Sequence, residues 1–113
     1  MDRNSTLPVS ADPLYHYILV RRDLPYGVQI AQTIHAAGET GPAVKGTHAV
    51  ALHVKDECQL IEFGRRLTEA GFEPYIVFEP DAPWNGAAMA IGLSPQIRTS
   101  KLRQVLGNLP LVK

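Results

Sequence analysis

Apolar and polar positions follow two different periods along this chain, and switching between them marks out its elements. Tyr15 to Val20 reads Tyr-His-Tyr-Ile-Leu-Val, an aromatic and branched run that ends in Arg21 and Arg22, and it predicts a buried strand whose end carries charge. Asp23-Leu24-Pro25-Tyr26-Gly27 then punctuates the chain. A helix opens at Gly27 and runs from Val28 to Ala37, with Val28, Ala31, Ile34 and Ala37 on its core-facing side and Gly38 as its stop. Glu39 to Gly46, rich in glycine, is a loop. His48 to Val54 alternates, with Val50, Leu52 and Val54 facing one way, which predicts a second strand. Asp56 is a fair N-cap for a helix carrying Leu60, Phe63, Leu67 and Ala70, closed by Gly71. Tyr75 to Phe78 and Ala87 to Leu93 give two more strands, separated by a loop through Pro83, Trp84, Asn85 and Gly86. Thr99 or Ser100 caps a last helix carrying Leu102, Val105 and Leu106.

The resulting order is β-α-β-α-β-β-α. Strands separated by helices pair in parallel through right-handed crossovers, whereas the last two, joined by a loop alone, favour an antiparallel pair. The expected fold is α/β, a three-layer α/β/α arrangement around a four-stranded mixed sheet. Residues 1–13, with Pro8 and Pro13 among polar residues, read as a flexible leader, and 14–113 as one domain, a size that suits a single core.

Composition narrows the chemistry. Eleven basic and eleven acidic residues cancel, so no global field draws the chain to nucleic acid or an anionic membrane, and any RNA contact must come from a local patch. Cys58 is the only cysteine, which excludes an intrachain disulfide and a cysteine-rich metal site. No apolar run approaches the roughly 20 residues of a membrane-spanning helix. The leader lacks the apolar middle of a signal peptide, so a cytoplasmic location is expected. His16, His48 and His53 have no carboxylate or cysteine at ligand spacing, and neither a metal nor a cofactor is expected.

Ligands of open α/β sheets gather beyond the carboxyl ends of the parallel strands. That rim holds Arg21, Arg22 and Asp23 after the first strand, and Glu79 and Asp81 after the third. Free backbone N–H groups near Gly27 favour an anion. Gln32 and His35, three apart, share a helix face that should reach the rim. Taken singly, each has a plainer role: His35 as an exposed histidine, Gln32 as a packing residue, Glu79 as a solvated strand end, and Arg21-Arg22 as surface charge.

The run Tyr17-Ile-Leu-Val-Arg-Arg-Asp-Leu, followed by Gly27-x-x-x-Ala31-Gln32-x-x-His35-Ala36, resembles the start of the type II peptidyl-tRNA hydrolases. The likeness continues through the second strand, the Asp56-Glu57 helix start and Ile91-Gly92-Leu93-Ser94-Pro95. Two departures bring it nearer to the divergent peptidyl-tRNA hydrolase domain-containing proteins. Val28 stands where the family has a lysine, and Glu79 stands for an aspartate, with no counterpart to the Thr-Gln pair that follows it in the family. The resemblance implies hydrolysis of the ester between a peptide and the terminal ribose of tRNA by an activated water. It assigns His35 or Glu79 to polarise the water, Gln32 and N–H groups near Gly27 to the oxyanion, Asp23 to orient His35, and Arg21, Arg22 and Gly27 to the RNA. It also implies tRNA or peptidyl-tRNA as partner and a homodimer, while apolar Trp84 in its Pro/Gly loop, with Val28 nearby on the rim, points from the residues themselves to the surface that another chain would cover. Loss of the lysine weakens the reaction, and the alternative is an RNA- or protein-binding module on the same fold.

Overall fold

A computed structural model describes residues 13–42 and 44–113 of the chain, so the proposed leader lies outside the described residues except for Pro13. The strands are β1 (Leu14–Arg21), β2 (His48–Val54), β3 (Tyr75–Glu79), β4 (Ala87–Gly92) and a two-residue β5 (Gln96–Ile97). The helices are α1 (Tyr26–Glu39), α2 (Glu57–Glu69) and α3 (Ser100–Leu106). The sheet order is β2-β1-β4-β3. β1 and β2 are parallel, and β4 is antiparallel to both β1 and β3, so the ends of β1, β2 and β3 share one rim. β5 adds a fifth strand that sequence periodicity did not reveal, pairing Gln96 and Ile97 with Tyr15 and Leu14. Two residues are too few to show a period.

Helix α1 lies on one face, and α2 and α3 cover the other. Alternation along β1 sends Tyr17 and Leu19 toward α2 and α3, where they join Leu52, Val54, Leu60, Phe63, Leu67, Ile91, Leu93, Leu102 and Leu106 in the main core. Ile18 and Val20 face α1 in a second, smaller cluster with Ala36, Val77 and Ala90. Capping of α2 follows its sequence. The Asp56 side chain accepts the N–H of Gln59, and Gly71, at φ 94°, turns the chain so that Gly71 and Phe72 donate to Thr68 and Leu67. The edge strand β2 is covered by the C-terminal segment, where Leu111 bridges Leu52 and Val112 donates to Ala51.

The α1 face departs from the expectation. The helix starts at Tyr26, passes through Gly38 and ends at Glu39, and its buried residues are Gln29, Gln32 and Ala36. Tyr26, Ile30 and Ile34 stand 71%, 61% and 66% exposed, so the side with Ile34 faces solvent and the polar side faces the sheet. The physical reason lies in how close the helix comes. A Cβ at Gly92 would sit 2.7 Å from both the Ala36 carbonyl oxygen and Thr40 Cγ2, which leaves no room for a ridge of isoleucines beneath the helix. The Thr40 hydroxyl donates to Ala36 O at 2.8 Å and so holds the last turn together beyond Gly38.

Gly92→Ala should therefore destabilise the fold by about 2 kcal/mol or more, since backbone on one side and a buried threonine on the other have little freedom to yield. Gly64→Ala, whose Cβ would meet only the ends of Ile76 and Ile91 at 3.3 Å, should cost distinctly less. Urea unfolding of the two variants side by side measures the difference, and equal costs would refute the close-approach account.

Candidate functional site

The rim at the ends of β1, β2 and β3 carries two separate groups of polar side chains, one on each face of the sheet. On the α1 face, Gln32 is buried and its Nε2 donates to Glu79 Oε1 at 3.1 Å. The other carboxylate oxygen of Glu79 receives the Asp81 N–H at 3.2 Å. Glu79 is thus tied down at the end of β3, not a freely solvated strand end. Gln32 Oε1 is buried and has no hydrogen-bond partner, which leaves a strong acceptor unused beside an ionisable carboxyl group.

On the opposite face, Arg21 follows the alternation of Tyr17 and Leu19 and is buried. Its Nε and Nη2 donate to the two oxygens of Asp23 at 2.9 Å each, and Nη1 donates to Ala88 O at 3.0 Å. Val77 pairs with Ala90 and Phe78 with Ala88, so Met89 is the extra residue of a bulge. The Ala88 N–H there goes to Glu57 Oε2 at 2.8 Å. Arg21 therefore serves as a structural clamp. The hydrogen bonds from Arg21 hold the Asp23 carboxyl below its usual range, against the opposing effect of burial.

These contacts correct three sequence expectations. Arg21 is committed to Asp23 and Ala88 and is not a solvated RNA contact. Asp23 does not orient His35. His35 itself is half exposed, with Glu39 as its acidic neighbour at 3.7 Å, and among the described residues no hydrogen bond joins it to Gln32, Glu79 or Asp23. Of the four proposed catalytic residues, the structure brings Gln32 and Glu79 together and leaves the other two apart.

Sequence reasoning passed over Gln29, the best-connected residue of α1. Its Nε2 donates to Leu24 O at 2.7 Å and Arg22 O at 3.3 Å, and its Oε1 lies 2.7 Å from His53 Nε2. The amide oxygen can only accept, so His53 carries its proton on Nε2. His16 Nε2 lies 2.6 Å from Thr40 Oγ1, whose single proton already goes to Ala36 O, so His16 is also the Nε2–H tautomer. The visible signal was the spacing of Gln29, Gln32, Ala36 and Thr40, a stripe of polar and small residues at helical period. Gln29, His53, Arg22, Leu24, Pro25 and Tyr26 line a hollow of about 360 Å³ at the start of α1. The first N–H groups of that helix have no side-chain cap and no acidic residue among them. Among the described residues no cluster of His, Cys, Asp or Glu is arranged to hold a metal ion.

Burial lowers the pKa of His16 and, with help from the Arg22 charge, that of His53, both from an ordinary 6.5. Below 6.5 the unfolded chain then binds more protons than the folded one, so stability falls as pH drops through that value. Urea unfolding at about pH 7.5 and about pH 5.5 should show the loss, and His16→Asn should remove part of it. Stability that holds or rises on acidification would refute this assignment.

Compared with known proteins, the chain matches no family model and no curated protein. Among solved structures it is similar to a protein of unknown function from Agrobacterium tumefaciens, at 13% identity and a TM-score of 0.55, covering 88% of this chain and 98% of that one. That likeness is one of fold: a mixed α/β sheet with helices on its faces.

Proposed function

We propose that this chain is a weakened hydrolase of the peptidyl-tRNA hydrolase kind, cleaving the ester between a peptide and the terminal ribose of tRNA in the cytoplasm. The observation that carries this reading is the Gln32–Glu79 contact. A carboxylate held at a strand end by a buried amide can polarise water, and a fixed base needs less reorganisation than a mobile one. Exposed Arg22 and the uncapped start of α1, including the Gly27 N–H, suit phosphate or a developing oxyanion. His35, turned toward Glu39, enters only if substrate draws it in.

The alternative is a binding module on the same fold. Both Glu79 oxygens already accept hydrogen bonds, and Val28 supplies no cation, which favours that alternative. A homodimer belongs to the same proposal. Its support is the outward stripe Tyr26, Ile30 and Ile34, which with exposed Val112 lines a groove that has no charged residue in its lining, in place of the Trp84 and Val28 surface first expected.

Val28→Lys should raise hydrolysis of peptidyl-tRNA at least about tenfold, or roughly 1.4 kcal/mol of transition-state stabilisation. It should also steepen the salt dependence of RNA binding through an added phosphate contact. Glu79→Gln in that background should remove the gain. A stably folded Val28→Lys protein without turnover would leave the binding module as the reading. In parallel, light scattering of the unmodified protein should give a dimer mass and Ile30→Asp a monomer, and a monomer at every concentration of the former would eliminate the dimer.

A further inference from the structure

The zero net charge conceals an uneven distribution. From Ala82 to Lys113 the chain has no Asp or Glu, and it carries Arg98, Lys101, Arg103 and Lys113. Folding gathers two of these cations at one place, far from the Gln32–Glu79 contact in both sheet face and strand end. Arg98 follows β5 and Arg103 lies in α3, and both line two hollows of about 290 Å³ and about 200 Å³. The larger hollow is walled by Tyr17, Val50, Leu52, Leu106, Leu109 and Leu111. Neither hollow has an acidic side chain among its described lining residues.

Arg98 is not a loose surface cation. Its guanidinium lies 4.3 Å from the centroid of the Tyr15 ring, which stacks on His48 at 4.9 Å. Stacking fixes the guanidinium plane and leaves its edge N–H groups for an acceptor. We infer that the hollow between β1, β2, α3 and the C-terminal segment binds a small amphiphilic anion, a carboxylate or phosphate monoester with an apolar body. Arg98 and Arg103 hold the anionic head, and Val50, Leu52, Leu109 and Leu111 receive the body. A nucleic-acid strand fits this place less well, because the Tyr15 ring is already engaged by His48 and Arg98, the Tyr17 ring is buried, and the other apolar walls are aliphatic, so no free aromatic face is offered to a base.

The test uses the full-length folded protein and anilinonaphthalene sulfonate, a fluorescent aromatic anion. Binding should be saturable, and Arg98→Ala and Arg103→Ala should each weaken it at least about tenfold. Lys101→Ala, an exposed cation of α3 that lines neither hollow, should leave it unchanged. Octanoate and phenyl phosphate should displace the dye, and within a fatty-acid series each added methylene should tighten binding about fourfold until the hollow is filled. The relative strength of the two competitors identifies carboxylate or phosphate as the preferred head. Thermal unfolding checks that the arginine variants keep the fold, which their exposed positions favour. No saturable binding below about 1 mM, arginine variants that bind as the unmodified protein does, or displacement by an RNA oligonucleotide alone would each overturn the proposal.

Discussion

Gln29 joins three parts of the chain through one side chain. Its amide nitrogen reaches the carbonyls of Leu24 and Arg22 in the turn after β1, and its oxygen receives the proton of His53 on β2. Because it sits in the first full turn of α1, it fixes where that helix begins and how it rolls on the sheet. Farther along the helix, Gln32 meets Glu79 of β3 and Thr40 meets His16 of β1. Helix α1 is thus docked chiefly by polar side chains with specified partners, backed by a small apolar cluster around Ala36, Ile18 and Val20. Hydrogen bonds to buried partners are modest in net strength but costly to leave unmade, so they select one rotation of the helix more sharply than apolar packing would.

That rotation has two consequences. It leaves Tyr26, Ile30 and Ile34 in solvent, an inversion of the usual amphipathic arrangement. It also carries Gln32 inward to Glu79 while His35, on the adjoining face, stays outside. One roll angle therefore determines both the exposed apolar stripe and the composition of the candidate site.

The other face of the sheet is held differently. There a large, mainly aliphatic core under α2 and α3 holds the layers together, and at the bulge a charged pair joins it. The extra residue Met89 breaks the ladder near Ala88, and Arg21 and Glu57 take up the backbone groups that the bulge leaves without a strand partner. Asp23 neutralises Arg21, so the clamp is a hydrogen-bonded ion pair, buried at the arginine and exposed at the carboxylate, with little effect on the surface field. Residues that look alike in sequence, Arg21 and Arg22, are thereby separated into a structural clamp and an exposed cation beside the start of α1.

Local sequence determined most of the architecture. Alternation at Val50, Leu52 and Val54, the Asp56 cap, the Gly71 turn and the apolar spacing of α2 are signals between near neighbours, and such signals act before any tertiary contact forms. They give the order of elements, the parallel and antiparallel pairings, and the three layers. The orientation of α1 was not readable in that way, because apolar spacing and polar spacing both run at helical period along it. Only the closeness of Gly92 to Ala36 and Thr40, together with acceptors and donors from Leu24, His53, Glu79 and His16, decides which stripe faces the sheet. The pairing of Arg21 with Asp23 and Ala88, the isolation of His35 and the gathering of Arg98 and Arg103 arise in the same way. Each depends on residues far apart in the chain, whose distance is set by the fold and not by their spacing.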